Sequence, residues 1–251
     1  MASSVNVVIP TYERPDFLRG AIETAVNQTH APSEVIVVDD GSSTRYAERI
    51  VNEYPDFVEC IRHERNKGLS AARNTGIREA TATYVAFLDD DDRWHETKLS
   101  KQATALDEDD SAAIATCLLV AIRPDNEIVH CETWMPEGDC ADAMLTGNRI
   151  GTPSRVLVRR RAATDIGGFD ESLPTKQDWD FYLRLCQDWN VTGVAEHLCF
   201  RRVHESMSSS VEAIERDKQS VLQKHEGRIR QRGLWTEANA EVSERIGRAN
   251  L

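Results

Sequence analysis

Two rhythms of apolar and polar positions alternate along the first part of the chain: short unbroken apolar runs, and longer stretches with a helical repeat. Residues 5–9 form an apolar run closed by Pro10, which predicts a strand. Leu18, Ala21, Ile22, Ala25 and Val26 then recur at spacings of three and four, the stripe of a helix lying on one sheet face. A second strand is predicted at 35–38, a turn at 39–43, a helix carrying Ala47, Ile50, Val51 and Tyr54, and a third strand at 58–62. Leu69, Ala72, Gly76 and Ala80 mark another helix. Residues 84–88 read as a central strand buried on both faces, because no polar residue interrupts them. Strands alternating with helices predict βαβ units and an α/β fold with a mostly parallel sheet.

The alternation fades after Trp94. A helix is predicted over 98–106, strands near 113–120 and 127–131, and a Gly- and Asp-bearing loop over 136–148. A strand at 154–158, a short helix at 160–166 and a helix over 177–187 follow, the last with Phe181 and Leu185 on one face. From residue 211 the chain is charged and helical, with Ile214, Val221, Leu222, Ile229, Leu234, Val242 and Ile246 as candidate buried positions. The expected organisation is one domain over 1–210, with a first half at 1–94 and a smaller lobe at 95–210, and a helical appendage at 211–251.

Composition narrows the classes of partner. The chain has 251 residues, 40% of them hydrophobic, enough for a sizeable core. Thirty basic residues against forty-two acidic ones give a net charge of -12, which argues against nucleic acid as a partner. The acid excess, with only six Lys among the basic residues, suits a salt-rich cytoplasm that screens self-repulsion. The longest apolar run, eleven residues at 112–122, is short of the ~20 a membrane-spanning helix needs. No transmembrane segment is expected, and the first ten residues lack the pattern of a secretory leader, so a cytoplasmic location is expected. Six scattered cysteines form no close pair, which predicts reduced structural thiols and no zinc site.

In an open α/β sheet, ligands bind beyond the carboxyl ends of the strands. Three strand ends here carry polar runs: VVIPTYER (7–14), VIVVDDGSS (35–43) and YVAFLDDDDRW (84–94). Four consecutive aspartates repel one another, and a divalent cation relieves that cost. Carboxylates without Cys or His suit Mg2+ or Mn2+ shared with phosphate oxygens, which points to a nucleotide diphosphate. A solvated acidic turn explains the run equally well when it is taken alone. Asp39 and Asp40 could cap a turn or accept a bond from a base or ribose. The stretch RNKGLSAARNTGI (65–77) opens a helix whose amino terminus attracts anions; there Lys67 or Arg73 could face phosphate, with Arg73 and Asn74 expected exposed. No GxGxxG or GxxxxGK[ST] occurs, which removes the main support for dinucleotide and P-loop readings.

Together these motifs, in this order, resemble the GT-A-fold glycosyltransferases of family 2 over about residues 5 to 205. The resemblance implies a Rossmann-like sheet flanked by helices, with the nucleotide on the first half and the acceptor on the second. It places Pro10, Thr11, Tyr12, Glu13, Asp39 and Asp40 on the nucleoside, and the DxD on Asp89 to Asp91, with Asp91 as metal ligand and Asp89 or Asp90 toward ribose and phosphate; four aspartates leave the register open by one residue. GGFDESL (167–173) and KQDWDFYLRL (176–185) resemble the acceptor region, in which an acidic doublet supplies the general base. Here the doublet is Gln177 and Asp178, so Asp178 is the implied base, and Asp180 is expected to turn outward. RRVHESMSSS (201–210) resembles a late segment whose histidine, His204, lies near the diphosphate. The implied reaction moves a sugar from a nucleotide diphosphate sugar, with UDP favoured, to an acceptor hydroxyl of a glycan or lipid-linked sugar, with inversion. Such an acceptor would allow peripheral contact at the inner face of a membrane. The competing readings are a sugar-nucleotide nucleotidyltransferase, for which a Gly-rich loop with Lys or Arg is missing after strand one, and a non-catalytic nucleotide-sugar-binding module.

Overall fold

The computed structural model describes residues 3–203 and 211–240, the side chains of 211–216 excepted. In chain order its elements are β1 (Val5–Thr11), α1 (Pro15–Val26), β2 (Glu34–Asp39), α2 (Tyr46–Val51), β3 (Val58–Arg62), α3 (Leu69–Glu79), β4 (Tyr84–Phe87), β5 (Arg93–Trp94) and α4 (Lys98–Asp107). Then come β6 (Ala112–Ile122), β7 (Ile128–Cys131), α5 (Ala141–Thr146), a 3-10 turn (Pro153–Arg155), β8 (Leu157–Arg159), α6 (Arg160–Asp165), α7 (Gln177–Leu185), β9 (Asn190–Arg202), α8 (Val211–Lys224) and α9 (Glu226–Gln231). The strand order is β3-β2-β1-β4-β8-β6-β9-β5, with β7 paired to β6. β3, β2, β1 and β4 run parallel, β8 is antiparallel to both β4 and β6, and β6 and β9 are parallel again, so most of the paired length is parallel.

The period of two in the central strands separates two cores. Val5, Val7, Ile9, Val35, Val37, Tyr84, Ala86 and Leu88 face one layer with Leu18 and Ile22 of α1, Ala47 and Ile50 of α2 and Leu99 and Leu106 of α4. Val8, Ile36, Val38, Val85 and Phe87 face the other, with Ala72 and Ile77 of α3, Ala162 of α6 and Phe181 of α7. A sheet covered on both faces explains the unbroken apolar runs of β1, β2 and β4. The tail joins the second core through Val221, Leu222, Ile229 and Ala238. Val242 and Ile246 lie outside the described residues.

Several expectations for the second half need correction. Residues 136–148 contain α5, whose Met144 and Leu145 are buried and whose Met144 carbonyl accepts the Trp179 indole N–H at 2.7 Å. The strand expected at 154–158 begins at Leu157, because Pro153 starts a 3-10 turn. The two-residue β5 and the thirteen-residue β9 were not expected from the pattern. β9 hides because it carries extra residues between Val194 and Cys199, where its register with β6 shifts at Cys117/Leu118 and Leu118/Leu119, and these interrupt the regular pattern that betrays a strand.

Gly76 fixes how closely α3 lies on the sheet: a Cβ there would stand 2.2 Å from Cγ1 of Val8. Gly76→Ala should therefore cost about 1–3 kcal/mol of overpacking. In urea unfolding the double variant with Val8→Ala should lose less than the sum of the single losses; strict additivity would show that the contact is not the cause.

Candidate active site

After β1 the chain lays down β2 and then β3 on one side of it, and then crosses to place β4 on the other. That reversal puts the carboxyl ends of β1 and β4 at a topological switch point, where a crevice opens in sheets of this type. The acidic run begins just beyond β4. Its four members divide between two environments. Asp90 and Asp92 are 4% and 2% exposed. The Thr11 hydroxyl, 2.7 Å from the Tyr46 hydroxyl, donates to Asp90 Oδ2 at 2.7 Å, and the Arg202 backbone N–H donates to Asp92 Oδ1 at 3.0 Å. The side chains of Asp89 and Asp91 are 27% and 13% exposed.

Arginines balance the run. Arg14 reaches Asp91 at 3.0 Å and Asp90 at 3.4 Å, and Arg73 donates to Asp89 at 2.6 Å. Arg73 is buried, with its guanidinium 5.3 Å from the centre of the Phe169 ring. The expectation that Arg73 and Asn74 are exposed is corrected. α3 is covered on one side by the sheet and on the other by α6 and by the loop before α7, so Ser70 through Ile77 are all buried. Asn74 binds this loop, its carboxamide donating to Phe169 O at 2.8 Å and accepting from Phe169 N at 2.7 Å.

The nucleoside-side candidates lie at the ends of β1 and β2. Tyr12 is 46% exposed, next to Thr11 and to Pro10, which is buried within β1. Glu13, in the left-handed region at φ 55, accepts the Ser43 N–H at 2.5 Å and so ties the β1 loop to the β2 loop. Asp39 and Asp40 are committed internally. Asp39 accepts the Ser42 N–H at 2.9 Å and a very short bond from Arg62. Asp40 accepts from Lys67 N at 2.9 Å, Gly68 N at 2.7 Å and His63 Nδ1 at 2.6 Å, and thereby holds the turn that leads into α3. Lys67 meets the site through its backbone; the residue itself is exposed.

Asp178 is the second residue of α7 and not its N-cap; Lys176 holds that place in a left-handed conformation at φ 58. The Asn148 carboxamide donates to Asp178 Oδ2 at 2.9 Å. Four residues on, Thr152 Oγ1 lies 3.5 Å from Asp89 Oδ2, and the Asp89 N–H donates to Ser154 Oγ at 3.0 Å. One segment thus touches both the acidic run and Asp178. Charge reports the same proximity. Burial raises the Asp178 carboxyl above its ordinary range, the Arg73 and Lys176 charges oppose that shift, and Asp89 adds to it. Burial, with the same Asp178, Arg73 and Asp89 acting on it, shifts the phenol of Tyr182, whose hydroxyl is buried without a partner among the described residues. Gln177 turns away, donating to Leu173 O at 3.2 Å and Pro174 O at 2.9 Å. Asp180 corrects its expectation: it is 0% exposed and faces the tail. His204 lies outside the described residues.

Sequence reasoning passed over Arg14, Asn148, Thr152, Ser154 and Tyr182. Only Arg14 carried a signal, a cation next to the TYE run and opposite an acidic strand end; the others come from a stretch without periodicity. Among the described residues no three His, Cys, Asp or Glu side chains form a ready cation cage. The donors that face the site, Asp89 and Asp91, are hard carboxylate oxygens, and they fit Mg2+ or Mn2+ completed by phosphate.

A profile of glycosyl transferase family 2 matches residues 6–167, and the chain belongs to that family. The class that fold and family define is glycosyltransferase. The chain is 30% identical over 214 residues to the putative teichuronic acid biosynthesis glycosyltransferase TuaG of Bacillus subtilis, covering 82% of each chain. To the uncharacterized glycosyltransferase YwdF of the same organism it is 31% identical over 203 residues, 76% of this chain and 70% of that one. Its fold is similar to the crystal structure of S. aureus TarS, with a TM-score of 0.69 at 21% identity over 88% of this chain; it spans 39% of the TarS chain. TarS 1–349 in complex with UDP-GlcNAc gives a TM-score of 0.70 at 19% identity, covering 87% of this chain and 65% of that one. Among the described residues no helix is long and apolar enough to cross a membrane.

Burial pushes the Asp90 carboxyl up to about 6, with Asp91 and Asp89 adding to the shift and Thr11 and Arg14 opposing it. The folded state therefore holds a proton that the unfolded chain releases near pH 4, and stability falls as pH rises from about 4 to about 6. In metal-free protein, Asp90→Asn should raise stability at pH 8 by about 1–3 kcal/mol, with the gain shrinking toward zero near pH 4 in urea unfolding.

Proposed function

We propose that this protein is a divalent-cation-dependent, inverting glycosyltransferase that moves a sugar from a UDP-sugar to an acceptor hydroxyl of a glycan or lipid-linked sugar. One observation carries this reading: Arg73, paired with Asp89, also acts on Asp178, and the 148–154 segment hydrogen-bonds both acids. This proximity of Asp89 to Asp178 supports one site for the proposed cation and the proposed base. UDP and UDP-GlcNAc bound to TarS support the nucleotide.

The nucleoside lies over the ends of β1 and β2, where Tyr12 offers an exposed ring and where Asp39 and Asp40 hold the surrounding loops in place. Asp91, with Asp89 beside it, would hold the cation, which would supply charge to offset that growing on the departing diphosphate. Arg14, half-exposed at the same acids, contributes a second positive charge there. On the opposite side Asp178 takes the proton of the acceptor hydroxyl while its oxygen bonds to the anomeric carbon. The bond from that carbon to the diphosphate oxygen breaks, and the electron pair leaves with the diphosphate. Attack from the face opposite the leaving group inverts the centre. Asn148 aims the carboxylate, and burial brings its proton affinity closer to neutrality, where a general base is most effective. The nucleotide is assigned to the 1–94 half and the acceptor to the 95–210 half.

Asp178→Asn should lower transfer about 10²–10⁴-fold and leave cation-dependent UDP binding within twofold, whereas Asp91→Ala should weaken both. Transfer is measured over a panel of UDP-sugars with Mn2+ and with EDTA, and binding by calorimetry. Because the Asp178 pKa is raised, kcat should fall as pH drops through that value, the base being lost by protonation. Full activity of Asp178→Asn would remove the assignment.

A further inference from the structure

Asp180 is the most fully committed carboxylate of α7, and every group that satisfies it lies outside the proposed chemistry. It is 0% exposed. Its Oδ1 lies 2.8 Å from His225 Nε2 and 2.7 Å from Lys224 Nζ, and its Oδ2 accepts from Arg184 Nε at 2.8 Å. Lys224 also donates to Asp170 at 2.5 Å, and Arg184 reaches Ile166 O at 2.7 Å and Gly168 O at 2.6 Å. One cluster therefore fastens three pieces of chain: the first turns of α7, the loop before it, and the junction of α8 with α9.

A buried carboxylate is expensive to desolvate, and an apolar residue at this position would pack the tail as well. A buried charge network instead fixes register, since its bonds form in one arrangement only. The need for such a device is visible two residues earlier. α7 begins after a left-handed Lys176 with no side-chain cap, so its first turn, which carries Asp178, lacks the usual terminal anchor. Asn148 on Asp178, the Trp179 indole on Met144 O and the Gln177 carboxamide on Leu173 O and Pro174 O hold this turn to nearby chain, and Asp180 ties it to the tail.

We propose that Asp180, Lys224 and His225 act as positioning residues for the reaction: the α8–α9 junction holds the amino-terminal turn of α7 and thereby places Asp178. This rests on Asp178 as the base. The tail is then part of the working site.

The test compares the full chain with its His225→Ala and His225→Gln variants, the second retaining a donor toward Asp180. In hydrogen exchange, His225→Ala should speed exchange of the amides of residues 180–182 at least tenfold, with β4 and α3 unchanged and UDP affinity within twofold. His225→Gln should return exchange to within about threefold of the parent. With a UDP-sugar turned over by the parent, kcat should fall at least tenfold in His225→Ala at unchanged donor KM and recover in His225→Gln. Unchanged exchange in α7, or acceleration spread evenly through the core, would overturn the proposal. Asp178→Asn is assayed beside them: if it is inactive while His225→Ala turns over like the parent, only the positioning role falls. If Asp178→Asn is fully active, the base assignment falls, and the exchange result still decides whether the tail holds α7.

Discussion

Four carboxylates at the end of one buried strand cannot all face the same space with their charges uncompensated, and much of this molecule answers that constraint. The chain alternates them. Asp90 and Asp92 turn inward to a hydroxyl and a backbone amide, and Asp89 and Asp91 turn toward the site and toward arginines. The inward pair keeps its protons more tightly than ordinary carboxyls because of burial. The outward pair, held beside Arg14 and Arg73, is the one to which the proposed function assigns the cation.

Balancing Asp89 from below requires a guanidinium inside the protein, which sets the character of α3. The helix carries Arg73 on a face that would be exposed in a simpler two-layer arrangement, so the loop at 166–171 and the start of α7 must cover it. Asn74 bonds that loop through Phe169, and Phe169 in turn stacks on Phe181 at 4.1 Å between ring centres and meets Phe87 edge-on at 5.2 Å. On its other side α3 presses against β1 without a side chain at Gly76. The distance from strand to helix to α7 is thus set by aromatic packing and one close backbone approach, and the acids at both ends of the site inherit it.

The first half was legible because its physics is local. Strands covered on both faces write themselves as unbroken apolar runs, and each helix between them shows its stripe. The acids at strand ends could be read for the same reason, since position in a parallel sheet says which edge they reach. The second half is built by contacts between distant segments, and its sequence shows less. β9 carries extra residues where it pairs with β6 and loses its alternation, and α5 looks like loop because its two core residues sit among Gly and Asp. Asn148 and Thr152 meet the site from a stretch with no period at all. Arg73 and Asp180 were misplaced for a shared reason: a charged residue on a helix reads as solvated unless the partner that buries it is known, and both partners lie far along the chain.

Arg73 has one further consequence. Its guanidinium pairs with Asp89 and lowers the Asp178 carboxyl while the Asp89 charge raises it, so the proton affinity of Asp178 depends on both neighbours. Neutralising Asp89 frees more of the guanidinium's field for Asp178 and makes that acid stronger. A change of charge at Asp89 is thereby felt at Asp178 without any atom having to move.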